Sequence, residues 1–534
     1  MGGAQRHPDA HVVTTGPRPT ASTFIAHVSA RALAARVGGR VGRPVDVERT
    51  WLDTFDWRLW RHGLALEVDR AATSRTATLR STRDHRVQWT QRGREVPAGA
   101  GELPPGPWRR SLAGVVGIRA LVPMGGERVR MSEITCRDAE GKTVATLLWE
   151  QVQPVPADQQ STIVGQASRV RLVPARGYDK EARALAGLLV DSVGLRPVPA
   201  HPLEHAAGGS GRPGEDPGKL RLDLQPGMRA DDAVHHMLST LFGVMRLNEP
   251  WLESAPDTEF LHDYRVALRR SRSVLKQARG ILPESSLDEW RPALRDLQVR
   301  TNDHRDLDVF VLEFGSYQAA VPEVAASDLE PLRDLLLRHR AEEHVALVRY
   351  LGSDEHRALL ARYQSFLYRR SDDGAAGPQA ALAVEEVGAR RIRRAQRRLL
   401  RSGAAIDEAS PAEALHELRI SGKELRYLLE LYGDLYDPSM LAGVVRELKQ
   451  LQDNLGEFQD CEIHAQRLHE FAEELRSSHD VPASVLMAIA LVALVFTDRQ
   501  ARARAEFAGR FSAFSERNNV RVLERMLTSP ADRR

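Results

Sequence analysis

The sequence predicts a multidomain α+β chain in which an N-terminal antiparallel sheet domain precedes an all-α half built from a duplicated unit. Three observations predict it. Strand-like runs are confined to roughly the first 200 of the 534 residues. A Gly/Pro-dense stretch from Gly208 to Gly218 then interrupts all regular patterning. From about Ala230 onward apolar residues recur at three- and four-residue spacing, and one short basic pattern occurs twice.

Taken in order, the first 20 residues are polar, rich in Gly, Pro and His, and read as a disordered N-terminus with no signal-peptide pattern. Residues 21–203 form the sheet domain. Residues 23–28, 64–68, 76–80, 87–90, 128–135 and 143–149 read as strands, and 29–37 and 180–193 as helices. Residues 204–226 are the linker. Residues 227–526 are helical and fall into two repeats, 227–370 and 380–526, divided by a Gly-, Asp- and Ala-rich segment at 371–379.

Composition narrows the function classes. Apolar residues make up 42% and charged residues 28%, an ordinary soluble balance, and the net charge of +3 excludes a globally basic coat protein. Only six of the 75 basic residues are Lys, and Lys276, Lys423 and Lys449 fall inside the repeat. The two cysteines, Cys136 and Cys461, are too few for a disulfide framework and fit a reducing cytoplasm. The longest apolar run, residues 485–496, is short of the roughly 20 needed to span a bilayer and reads as a buried core helix. No membrane partner is expected.

The repeat carries the functional reading. His262, Arg265, Arg269 and Arg272 precede His416, Arg419, Lys423 and Arg426 by a constant 154 residues. The offset continues into the next segment, where Arg295-Asp-Leu-Gln matches Lys449-Gln-Leu-Gln and Asp306 matches Asp460. At about 100° per residue, spacings of 0, 3, 7 and 10 fall within an arc of roughly 80°, so each set forms one stripe. Lys276 extends the first stripe by a turn, while Leu268, Leu275, Leu425 and Leu429 lie off the arc and face a core. Like charges at this spacing repel by a few tenths of a kcal/mol per pair. No acidic residue interrupts either stripe, which points to an external anion, for which Arg offers a bidentate fork, Lys a compact charge and His an added donor. The seven arginines between Arg390 and Arg401 go round the whole of their helix and point to no particular ligand.

The duplicated His-x-x-Arg helix, with Arg305-Asp306 and Leu451-Gln-Asp-Asn-Leu-Gly456 downstream, resembles the CHAD domain, the conserved-histidine α-helical domain. The resemblance covers about residues 226–520. It implies a duplicated four-helix bundle with pseudo-twofold symmetry and a basic groove at the junction, which binds inorganic polyphosphate and associates with polyphosphate granules. Carried onto matching positions, the binding residues are His262, Arg265, Arg269, Arg272, Lys276, Arg295, Arg305, His416, Arg419, Lys423, Arg426 and Lys449. Gln459 departs from the pattern, standing where the first repeat has Arg305.

Thr50-Trp-Leu-Asp-Thr-Phe-Asp-Trp-Arg-Leu59, followed by Gly63-Leu-Ala-Leu66, resembles the CYTH fold of triphosphate-processing enzymes, which implies a β-barrel or tunnel. Those enzymes hold a divalent metal with a Glu-x-Glu-x-Lys strand. Here the corresponding strand, near residues 22–27, has neither Glu nor Lys, and Leu66-Glu-Val-Asp-Arg70 replaces one expected cation with an anion. Metal-assisted phosphoryl chemistry needs those carboxylates, so no catalytic or metal residues and no cofactor are expected. Arg80 and Arg83 read as strand cations exposed to water. No phosphate-binding Gly-rich loop or nucleophile elbow is present.

The expectation is a non-enzymatic, cytoplasmic polyphosphate-binding protein located on polyphosphate granules. The alternatives are a triphosphatase or polyphosphatase acting through the sheet domain, and a nucleic-acid binder. Against the last, the basic stripes lack the interleaved aromatics that stack bases.

Overall fold

The structure, a computed structural model, describes residues 23–93, 99, 107–154, 167–198, 201–206, 213–216, 220–368, 376–477 and 481–528. The N-terminus expected to be disordered lies outside these residues. The chain divides into two compact units, Met1–Pro217 and Gly218–Arg534.

The first unit is an antiparallel sheet with flanking helices. Its described strands are β1 (Thr23–Ile25), β2 (Arg40–Val41), β3 (Val45–Asp53), β4 (Leu64–Arg70), β5 (Arg75–Ser81), β6 (Val87–Gly93), β7 (Val122–Arg137), β8 (Thr143–Pro154), β9 (Ala167–Pro174) and β10 (Arg196–Pro197). The helices are α1 (Ala30–Arg36), α2 (Arg58–Arg61), α3 (Pro107–Val116), α4 (Asp179–Asp191) and α5 (Pro202–Ala206). The strands pair in the order β10-β1-β9-β8-β7-β3-β4-β5-β6, with β2 on β7.

Period-2 alternation gives the sheet two unlike faces. Leu147, Val170 and Leu172 pack with Leu33 and Leu189 of α1 and α4, and Leu66, Val68 and Leu79 pack with Leu112 and Val116 of α3. The opposite face carries charge. The sheet curls around that face, because Arg171 of β9 donates to Glu67 of β4 at 2.6 Å although three strands lie between them. Flat spacing of about 4.8 Å per strand would hold them roughly 19 Å apart. Thr23 of β1 likewise meets His85, beyond β5, at 2.8 Å. The result is tunnel-like.

The second unit is helical. Its described helices are α6 (Ala230–Asn248), α7 (Glu259–Gln277), α8 (Glu284–Val299), α9 (Asn302–Ala320), α10 (Glu323–Ala326), α11 (Glu330–Leu351) and α12 (Asp354–Tyr368). There follow α13 (Val384–Ala404), α14 (Ala412–Leu431), α15 (Pro438–Ser477), α16 (Ala483–Ser515) and α17 (Arg517–Thr528). The 154-residue offset governs their starts: Ala230 maps onto Val384, and Glu284 onto Pro438.

The offset is also a symmetry operation. Ala230 N donates to Leu382 O at 2.9 Å and Val384 N to Met228 O at 2.8 Å, two bonds that exchange under it. Such a reciprocal contact marks a twofold axis. The helices break differently in the two repeats: α8 and α9 break at Arg300-Thr301, and α11 and α12 at Gly352-Ser353, whereas α15 and α16 run through the equivalent positions.

Both repeats feed one apolar cluster, with Phe310, Phe314 and Leu336 of the first packed among Leu468, Phe471, Ile489 and Val492 of the second. The run 485–496, expected to be a buried core helix, lies in α16 and buries one of its faces. Val485, Ala488, Ile489, Val492 and Phe496 are buried, while Met487 is 67% and Leu494 56% exposed. Among the described residues α16 is the one helix long and apolar enough to cross a membrane by length and composition.

Candidate functional site

The His/Arg/Lys stripes lie on α7 and α14, whose apolar faces are fixed by Leu268, Leu275, Leu425 and Leu429, all fully buried. Two ion pairs staple the helices together: Arg270–Glu430 at 2.9 Å and Lys276–Glu424 at 2.8 Å. These pairs also exchange under the 154-residue offset, with the signs of the charges reversed.

Arg269 and Lys423 are equivalent positions and lie within electrostatic reach of each other. Burial, reinforced by Arg419, Arg269 and Arg426, lowers the Lys423 ammonium to about 8. Arg269 Nε and Arg419 Nε are buried with no hydrogen-bond partner. Unsatisfied buried donors cost about 1–3 kcal/mol each. The two stripes therefore meet at the axis, where Asp460 and Glu430 offset part of the positive charge and the Nε donors of Arg269 and Arg419 lack acceptors.

Moving outward, equivalent residues make equivalent contacts. Arg272 donates to Gln298 and Arg426 to Gln452. Arg419 pairs with Asp460 at 2.8 Å, and Arg426 also with Glu430 at 2.7 Å. Arg265 is engaged differently. At the α8–α9 break the Gln298 carbonyl accepts from Thr301, and Arg265 donates to it as well, and to Thr301 Oγ1 and Asn302 Oδ1. Burial lowers Arg265 to about 10, which leaves it charged at neutral pH. His416 shares a 2.6 Å hydrogen bond with Gln459, and Arg305, at the matching position, donates to Thr258 O and lies 3.9 Å from Glu259. His262 is partly buried on the same stripe, and Arg295 and Lys449 are exposed on α8 and α15.

One cleft of about 1380 Å³ opens beside the stripe. Arg272, Lys276, Arg279, Arg291 and Arg295 line one side, and Arg390, Arg391, Arg394 and Arg398 of α13 the other; Asp296 and Glu424 are the acidic residues lining it. The α13 arginines were read from sequence as a cluster running round the whole helix, without this face being picked out. The signal was there in the i, i+4, i+8 spacing of Arg390, Arg394 and Arg398, which shares a face, but Arg393, Arg397 and Arg401 obscured it.

The tunnel of the sheet unit is a second charged interior, and it is internally balanced. Glu150 accepts from Arg49 at 2.6 Å, Arg171 at 2.6 Å and Arg169 at 2.7 Å. Glu67 binds Arg171 at 2.6 Å and Arg80 at 2.9 Å, Asp69 holds Arg49 at 2.8 Å, and Glu127 holds Arg169 at 2.8 Å. Among the described residues four guanidinium groups thus face four carboxylates. Despite burial, Glu67 and Glu150 are held well below the ordinary carboxylate value by Arg171 and its neighbours. Burial holds His85 and His201, whose tilted rings lie 4.8 Å apart, in their neutral forms. Arg80, expected in water, is instead mostly covered and paired with Glu67, while Arg83 is exposed.

This interior does not fit the divalent ion of CYTH enzymes, because each of its four carboxylates is already bound to a guanidinium. The residues that carry the CYTH resemblance serve the backbone: Asp53 accepts from the backbone N–H groups of Thr54, Leu59 and Trp60 at 2.7–2.9 Å. Burial raises that carboxyl to about 6.

Comparison with known proteins bears on both units. No curated protein matches the sequence. The solved CHAD domain of the plant Ricinus communis is 21% identical, covering 55% of this chain and 94% of its own, with a TM-score of 0.46. A candidate adenylate cyclase from Bacillus halodurans (14% identity, 34% and 93% coverage, TM-score 0.25) also matches. So does a candidate adenylyl cyclase from Hippeastrum with a dominant triphosphatase activity (15% identity, 34% and 90% coverage, TM-score 0.22). The family model of the CHAD domain matches residues 230–469, and the chain carries a CHAD domain there.

Proposed function

We propose that this chain is a non-enzymatic, cytoplasmic protein that binds inorganic polyphosphate on the axis between its two helical repeats and associates with polyphosphate granules. The observation that carries the proposal is the meeting of Arg269 and Lys423, with unsatisfied guanidinium donors beside them and the lysine depressed to about 8. A cluster of like charges half removed from water is unfavourable by itself, and a multivalent oxyanion relieves it. A flexible linear polyanion can follow the stripes in both directions from the axis. Its bound counterions are released as it does so, which makes affinity salt-dependent. The balanced tunnel supports a scaffold role for the sheet unit, since catalysis on a phosphoanhydride needs free cations and a metal anchor.

The double variant Arg269→Glu/Lys423→Glu tests the proposal. Retention of long-chain inorganic polyphosphate is expected to vanish while helicity by circular dichroism is kept. Unchanged retention in a folded variant removes the axis from the account. Competition by single-stranded RNA at the same affinity would favour a nucleic-acid binder instead.

A further inference from the structure

The two repeats share a fold but not a charge distribution. On one side of the axis, α13 lines the cleft with Arg390, Arg391, Arg394 and Arg398. Their equivalents on α6, at an offset of 154, are His236, Met237, Thr240 and Val244. Across the cleft, Arg279 and Arg291 map onto Gly433 and Val445, and Lys276 onto Glu430. Of the cleft's cations only Arg272 and Arg295 have cationic equivalents, Arg426 and Lys449. Most of this charge was therefore not needed to build the duplicated fold.

The cleft is also continuous with the axis. Arg272 belongs to both the stripe and the cleft wall, one turn of α7 from Arg269. From Arg269 to Lys276 the helix advances about 10 Å. Cations facing one another across a concavity focus a positive potential into it. Arg391 adds a buried Nη1 that has no hydrogen-bond partner.

We infer that this cleft is a one-sided outer subsite, which takes the segment of a polyphosphate chain that extends beyond the axis. The inference rests on the polyphosphate reading and deepens it, giving the bound chain a direction and the protein a preference for long chains. A short oligophosphate satisfies the axis alone. A long one gains the α13 arginines, and it gains them on one side only.

Two charge-matched double variants of α13 test this. Arg390→Gln/Arg394→Gln removes two exposed cleft arginines at i,i+4. Arg397→Gln/Arg401→Gln removes two exposed arginines at the same spacing on the same helix, outside the cleft. Binding of long-chain polyphosphate and of tripolyphosphate is measured against salt, with circular dichroism confirming that both variants fold. The cleft pair is expected to weaken the long chain by about tenfold and to lower its salt slope by about one to two, while tripolyphosphate changes by less than about twofold. The control pair is expected to change neither by more than about twofold. Equal losses from the two pairs, or equal losses for short and long chains, overturn the subsite while leaving the axis site intact. If the unaltered chain binds neither ligand, the polyphosphate reading itself falls, and the subsite with it.

Discussion

Glu150 is the most exacting residue of the sheet unit, and Glu150→Gln tests the claim that the tunnel neutralises itself. The side chain is fully buried and accepts hydrogen bonds from Arg49, Arg169 and Arg171 at 2.6–3.1 Å. Glutamine keeps the shape but removes the charge and turns an amide N–H₂ toward guanidinium donors. Breaking a buried ion network by removing one partner costs about 3–5 kcal/mol, a large part of the roughly 5–15 kcal/mol that stabilises a domain. For a unit of this size each kcal/mol moves Tm by about 2–4 °C, so the sheet-unit transition should fall by roughly 6–20 °C. Calorimetry on the full chain reads this directly. The variant interior carries one uncompensated positive charge, so tripolyphosphate should raise its Tm by more than it raises that of the parent. Acid provides an independent check. The carboxylates of Glu67 and Glu150 are depressed in the folded state, so their contribution is present above the ordinary glutamate value of 4.5 and is lost as pH falls below it. The variant should show a shallower loss of stability below that pH. A variant that melts at the same temperature as the parent would refute the reasoning.

Two further outcomes follow from the helical unit. Lys423, depressed to about 8, is charged below that pH and neutral above it. Polyphosphate affinity should therefore fall as pH rises through 8, with proton uptake on binding that calorimetry in buffers of different ionisation enthalpy detects. Lys423→Arg should abolish that uptake, and equal affinity at pH 7 and pH 9 in the parent would contradict the assignment. Glu424 accepts from Lys276 and Arg398 at 2.8 Å each and occupies the cleft as an internal counter-anion. Glu424→Gln should release both cations and tighten long-chain binding by roughly fivefold, about 1 kcal/mol; weaker binding would show that the carboxylate organises the site rather than competing for it.

The duplicated helices were legible because a helix repeats its chemistry at fixed angles. His262 to Arg272 and His416 to Arg426 sit on α7 and α14 as their spacing requires, and the shared offset reappears in element starts and in the reciprocal bonds across the axis. The asymmetry was harder to read, since seven arginines around α13 yield no angular preference until a neighbouring wall selects one face. In the sheet unit, β3 and β9 were not read as strands: Val45-Asp-Val-Glu-Arg and Ser168-Arg-Val-Arg do alternate charged with apolar residues, as antiparallel strands do, but nothing in that pattern places Arg49, Arg169 and Arg171 inside. Arg49, Arg169 and Arg171 face the inside while Asp46 and Glu48 of β3 stay exposed, and only the curl that brings Arg171 onto Glu67 makes the inward charges favourable. The half-exposed α16 has a related cause: its apolar composition says nothing about how much of its circumference finds a partner.

A titration of the full-length chain with fluorescently labelled long-chain inorganic polyphosphate, repeated from about 50 to 200 mM salt, addresses the central claim most directly. The account predicts tight binding whose logarithm falls linearly with log salt, with a slope equivalent to several phosphates at about 0.7 each, unaffected by a metal chelator and with no phosphate released. Failure to bind at the lowest salt, or binding that needs a divalent ion and consumes the polymer, would contradict it.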